Sequence, residues 1–141
     1  MCKRKLILIL SLVMLCIAPL QVFAASSVPE SQVISPMWVS ITDFSNSFNI
    51  SASGLAQFET SVYSRSTINK VVISASIQQY KNGSWQTLKS WSTTTYSNSG
   101  YLSQQLYVTH GYNYRLVSSA AVYQNNVLIE QTPYTGSSYW F

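Results

Sequence analysis

A chain of 141 residues with 47% hydrophobic and 9% charged residues is long enough to bury one core and too apolar to remain disordered, so a single folded domain is expected. The formal net charge of +4 is concentrated at the start: Lys3, Arg4 and Lys5 supply three of the eight basic residues, and from Ala25 onward five basic residues face four acidic ones. That near balance excludes the electrostatic footprint of a nucleic-acid binder.

The basic triplet is followed by an apolar run from Leu6 to Ala18 and then by Val22-Phe23-Ala24, which places small residues three and one positions before a cleavage point. Pro19 and Gln21 interrupt the run before it reaches the roughly 20 apolar residues of a membrane-spanning helix. Residues 1–24 are therefore expected to be a secretory signal peptide cleaved after Ala24, leaving no stable membrane anchor. Cys2 and Cys16 leave with it, and Val13-Met14-Leu15 before Cys16 lacks the small residue of a lipoprotein signal, so the mature product is expected to hold no disulfide. The expected location is extracellular, either free or loosely associated with the cell envelope.

Residues 25–36 are polar, carry Pro29 and Pro36 and show no sustained period, the pattern of a flexible leader. The remainder, 37–141, reads as strand after strand. Met37 to Asp43 alternates weakly, Ser45-Asn46-Ser47 is read as a turn into Phe48, Ile50 and Ala52, and Gly54 breaks the chain again. Leu55 to Tyr63 places Phe58, Thr60 and Val62 on one face. Ser97-Asn98-Ser99-Gly100 is a turn cluster before a strand from Tyr101 to Val108, and His110-Gly111 turns the chain into the long alternating face Tyr112, Tyr114, Leu116, Ser118, Ala120 and Val122. Gln124-Asn125-Asn126 makes a hairpin into Val127 to Thr132, and Pro133 either ends that strand or confines it to an edge. Gly136-Ser137-Ser138 leads to Tyr139-Trp140-Phe141.

The centre of the pattern is Ile68 to Tyr96. Val71, Ile73, Ala75 and Ile77 alternate with Val72, Ser74, Ser76 and Gln78, and Asn82-Gly83 supplies the two residues that most readily take positive φ, so a two-residue type I′ turn is expected. That register sets Tyr80 opposite Trp85, Ile77 opposite Leu88 and Ser74 opposite Trp91, with both tryptophans on the face away from Ile77 and Leu88. A three-residue loop with Gly83 as a bulge would send both tryptophans into the core, but it buries Lys89 beside Ala75 and turns Leu88 outward. A bulge nearer Trp91 would send that one ring inward.

Seven or eight short strands with no helix predict an all-β fold, an immunoglobulin-like or fibronectin-like antiparallel sandwich of about seven strands. Tyr112 or Tyr114, entering a strand just after a glycine turn, is placed to bond its hydroxyl back to the loop or simply to pack at the edge. The layout of signal peptide, the stretch Lys81-Asn82-Gly83-Ser84-Trp85-Gln86-Thr87-Leu88-Lys89-Ser90-Trp91-Ser92 and the stretch Gly111-Tyr112-Asn113-Tyr114-Arg115-Leu116 resembles a family of small secreted proteins from Gram-positive bacteria, classed as a domain of unknown function. The resemblance is strongest from about Val71 to Val122. It implies export and a sandwich fold and transfers no catalytic residue.

Catalytic equipment is sparse. A serine triad would have to use His110 and Asp43, with no serine marked as nucleophile. Paired carboxylates would come from Glu30, Asp43, Glu59 and Glu130, of which Glu59 and Glu130 read as solvated strand residues. One imidazole and no thiolate after Cys16 make no zinc set, and no acidic calcium loop or phosphate-binding glycine loop is present, so no catalytic, metal or cofactor residue is assigned. What remains is aromatic content. Tyr80, Trp85, Trp91, Tyr139, Trp140 and Phe141 form the candidate binding face, since Trp and Tyr stack on sugar rings and anchor protein partners, although strands also use them structurally. The expected role is a non-catalytic binding or adhesion module for an extracellular glycan or protein. The runner-up is a small secreted bacteriocin-like or pore-forming toxin, compatible with export, low charge and the aromatic terminus.

Overall fold

Period-two alternation builds eight strands: β1 (Ile41–Ile50), β2 (Leu55–Ser64), β3 (Lys70–Lys81), β4 (Ser84–Thr95), β5 (Ser99–Tyr107), β6 (Asn113–Gln124), β7 (Val127–Thr135) and β8 (Tyr139–Trp140). The computed structural model describes residues 38–141, all strand or connection with no helix; the predicted signal peptide and leader, residues 1–24 and 25–36, lie outside the described residues. Every pairing is antiparallel. One sheet has three strands in the order β1-β2-β5, and the other has five, β4-β3-β6-β7 with β8 also on β6. The last two are one edge strand interrupted at 136–138: β7 pairs with Val117–Gln124 and β8 with Asn113 and Tyr114. Pro133 sits within β7, where no outer neighbour needs the N–H it lacks.

The core lies between the sheets. Phe58 and Val62 of β2 and Leu102 of β5 meet Val71, Ile73 and Ile77 of β3 and Leu116 and Val122 of β6. Fully burying such a side chain contributes about 1.5–3 kcal/mol, and this apolar layer is continuous along both sheets without a covalent link.

Tyr114 closes the crossing from β5 to β6. Its side chain is fully buried; the hydroxyl donates to the Thr109 carbonyl at 2.7 Å and accepts from Gln79 Nε2 at 2.8 Å. Of the two tyrosines placed by sequence at this corner, Tyr114 makes the bond back to the loop, while Tyr112 is half-buried against the core.

Outside the central hairpin, three sequence expectations are corrected. First, Ser45-Asn46-Ser47 is strand, with Ser45↔Ser61, Asn46↔Thr60 and Ser47↔Glu59 paired inside a single β1. The Asn46 carbonyl oxygen accepts from Thr60 Oγ1 at 2.9 Å and from Ser118 Oγ at 2.7 Å, so a turn-forming residue serves instead as a polar link between the sheets. The turn falls at Ser51–Gly54, where the Gly54 amide donates to the Ser51 carbonyl at 2.9 Å. Second, Ser99 and Gly100 already belong to β5, paired with Tyr63 and Val62. Third, Glu130 is not a solvated strand residue. Its carboxylate accepts from the backbone amides of Val39 at 3.2 Å, Ser40 at 2.7 Å and Ile41 at 3.0 Å, tying the start of β1 to the opposite sheet.

The central hairpin has the predicted turn, with Asn82 at φ 54° and Gly83 at φ 77°, and Tyr80 stands opposite Trp85. Four residues on, the register slips. Gln78 pairs with Thr87 but Ile77 pairs with Lys89, so Leu88 is the extra residue of a bulge and is 42% exposed rather than facing the core beside Ile77. Every later residue of β4 changes face, and Trp91 stands opposite Ala75 instead of Ser74.

Tyr114→Phe removes both hydroxyl bonds and leaves a buried Gln79 amide unpaired, so it is expected to cost about 1–3 kcal/mol in chemical denaturation; a variant as stable as the wild type would remove the corner from the account. Gly54 and Gly83 both hold positive φ, but a Cβ on Gly54 would lie 2.8 Å from the Val108 carbonyl oxygen while one on Gly83 meets nothing within 4 Å. Gly83→Ala is therefore expected to cost only the left-handed backbone penalty of about 1–2 kcal/mol, and Gly54→Ala more than that, read as the order of their melting temperatures.

Candidate binding face

Parity assigns the outer surface of the five-stranded sheet. In β6 the buried set Tyr114, Leu116, Ser118 and Ala120 leaves Asn113, Arg115, Val117 and Ser119 outward, and in β3 the buried set Ile73, Ala75, Ile77 and Gln79 leaves Ser74, Ser76, Gln78 and Tyr80 outward. Cross-strand register then lines up Trp85, Tyr80, Asn113 and Trp140 as one row across β4, β3, β6 and β8. At about 4.8 Å per strand the row is roughly 14 Å long.

The row is tied together by ring contacts. Tyr80 and Trp85 lie 5.3 Å apart at 58°, and the Arg115 guanidinium sits 4.1 Å above the Trp85 ring while its Nε donates to Gln78 Oε1 at 2.9 Å. Arg115 and Trp85 are two strands apart and meet because both side chains are long enough to reach across Gln78 and Tyr80. The stack half-buries Trp85, while Tyr80 is 42% and Trp140 70% exposed. Beyond Arg115 lies a shallow groove of about 500 Å³, lined by Ser74, Ser76, Ser90, Ser92 and Ser119 together with the apolar Val117, Pro133 and an edge of Trp91. At the far end Lys70 Nζ lies 4.1 Å from the centre of the Tyr123 ring.

The six aromatic residues singled out by sequence do not form one surface. Tyr80, Trp85 and Trp140 share the outer face. Trp91 does not join them: the bulge at Leu88 turns it inward against Phe58, with ring centres 5.3 Å apart. Tyr139 pairs with the inward-facing Tyr114 and meets Phe48 edge-on at 5.6 Å. Phe141 stacks on His110 at 3.7 Å and lies against Gly54, sealing one end of the inter-sheet layer. The residue that sequence reasoning missed is Arg115. Its outward direction was readable from the alternation of β6, but its place over Trp85 requires knowing that β3 lies between β4 and β6.

The other sheet presents a different surface. Asp43 and Glu59 point outward there among serine, asparagine and glutamine side chains, with Tyr63, Tyr101 and Tyr107 exposed beside them. Asp43 pairs with Tyr63, whereas His110 follows the Tyr107 end that pairs with Leu55. Eight residues of β2 separate those ends, roughly 26 Å at 3.3 Å per residue, so His110 and Asp43 do not form the base and carboxylate of a triad. Among the described residues no group of three or more His, Cys, Asp or Glu side chains is close enough to hold a metal ion. Comparison with known proteins finds no matching family model and no matching curated protein.

The placements predict opposite outcomes for two tryptophans. Trp91→Ala removes a ring packed on Phe58 and is expected to cost about 3 kcal/mol, the low end for truncating a buried aromatic. Trp140→Ala removes a ring that touches little and is expected to stay within about 0.5 kcal/mol of wild type. Urea melts of both variants check the assignment, and a reversed order would place Trp91 outside and Trp140 inside.

Proposed function

We propose that this is a secreted, non-catalytic β-sandwich protein of the immunoglobulin-like or fibronectin-like type that serves as a binding or adhesion module for a glycan or protein outside the cell. The fold type is supported by the three-on-four arrangement of strands β1 to β7 and by the tyrosine corner at the start of β6. Export rests on the signal-like composition of residues 1–24, and the resemblance of Lys81–Ser92 and Gly111–Leu116 to small secreted Gram-positive proteins belongs to the same proposal. The observation that carries the binding role is the outer row Trp85, Tyr80 and Trp140 with Arg115. Two of these rings stay open on a rigid sheet where packing does not require them, and aromatic area with polar edges is what recognition surfaces concentrate.

The test is retention on purified cell envelope. Wild-type protein is expected to be retained, and the double variant Tyr80→Ala, Trp140→Ala to be released while its melting temperature stays within a few degrees of wild type. Retention of the double variant at the wild-type level would move the binding role off this face, and failure of the wild type to be retained would count against an envelope partner.

A further inference from the structure

Charge is divided between the two outer faces. Among the described residues the carboxylates are Asp43, Glu59 and Glu130: the first two lie on the outer face of the three-stranded sheet, and the third is turned onto the amides of Val39, Ser40 and Ile41. The outer face of the five-stranded sheet carries Arg115 and Lys70 and none of these carboxylates. The partners of Arg115 are a neutral amide and an indole ring, which fix the guanidinium in place without neutralising it.

That arrangement resembles a prepared anion contact more than a structural ion pair. The guanidinium is planar and holds its donors in a fork that matches a carboxylate. Because Nε is taken by Gln78 and one π-face by Trp85, the two terminal nitrogens remain to grip one ligand group, and little side-chain freedom is lost on binding. Around it the surface suits sugars: Tyr80 stands next to Trp85 and Trp140 at the other end of the same row, and the groove beyond is uncharged, its serine hydroxyls interleaved with apolar Val117 and Pro133.

We propose, resting on the reading of this face as the binding surface, that its ligand is an acidic polysaccharide whose sugar units carry carboxylate groups, with Arg115 holding one carboxylate through its terminal nitrogens, Tyr80 and Trp140 stacking on neighbouring rings, and the serine groove taking the chain as it continues. A neutral glycan leaves the guanidinium unanswered, and an acidic polypeptide offers carboxylates without rings for the aromatic row.

Three soluble polymers separate these cases in titration calorimetry with the wild-type protein: polygalacturonate, hydroxyethyl cellulose and poly-L-glutamate. Polygalacturonate is expected to bind, more weakly as salt is raised, and the other two to bind at least tenfold more weakly, on the scale of one charge-assisted contact. Arg115→Gln is expected to lower affinity for polygalacturonate by about tenfold or more, and Arg115→Lys to lose most of it too, because an ammonium supplies the charge but not the fork. Trp140→Ala should weaken binding through a residue whose loss does not threaten the fold. Lys89→Gln removes the same charge from a β4 residue opposite the buried Ile77, outside this row, and is expected to leave binding within about twofold, a change too small for a lost charge-assisted contact. Equal binding of poly-L-glutamate, or an Arg115→Gln variant as tight as wild type, overturns the proposal. So does tighter binding of the neutral polymer; if that binding is lost in Trp140→Ala, the face remains a glycan site and only the acidic specificity falls.

Discussion

The chain changes sheets between β5 and β6, and at that crossing one buried hydroxyl ties the connecting loop into the core of the larger sheet. Tyr114 enters β6 directly after the Gly111 turn, donates to the carbonyl of Thr109 behind it and accepts from Gln79 of β3. A carbonyl in a loop that leaves one sheet for the other has no ladder partner, and burying it unpaired would cost a few kcal/mol. The tyrosine supplies that bond from within the core while its ring fills the end of the apolar layer. The register of β6 on β3 is fixed at the same point, and β6 is the strand on which β3, β7 and β8 all depend.

Other polar groups perform similar work where the sheets meet. Asn46, Thr60 and Ser118 join β1, β2 and β6 through one amide oxygen, and the Glu130 carboxylate gathers three amides at the start of β1. Each is a directional bond across an interface that otherwise consists of non-directional apolar contact, so each selects one relative placement of the sheets among the many that would bury the same area. In a domain whose described residues contain no cysteine, these bonds and the core supply what covalent staples supply in small disulfide-rich domains.

The outer face of the larger sheet is organised by different rules. Nothing in the core requires Arg115 to stack on Trp85 or Trp140 to stand open, yet the strands beneath them are fixed on their buried sides. In the proposed binding role, side chains on such a platform would start close to their bound arrangement, which lowers the ordering cost of association. The serine residues beyond the aromatic row leave a shallow groove over the sheet, which is where the proposed ligand would lie.

The sequence by itself determined what depends on neighbours along the chain. Alternation marked the inward faces of β2, β3 and β6, Asn82-Gly83 marked a turn that needs two positive φ values, and Gln124-Asn125-Asn126 marked another hairpin. These signals are local because period and turn sterics are set within a few residues. Tertiary structure decided the rest. Ser45-Asn46-Ser47 has turn composition but is strand, because Ser118, 72 positions away from Asn46, bonds its side chain. The bulge at Leu88 leaves no mark in composition, yet it sends Trp91 to the core and keeps Trp85 outside, since a single inserted residue inverts every side chain that follows. Phe141 packs on His110 and Gly54 only once the ends of β5 and β8 have come together. The face on which Arg115 meets Trp85 exists because β3 runs between their strands, and a strand order of that kind is fixed by long-range burial that no local pattern encodes.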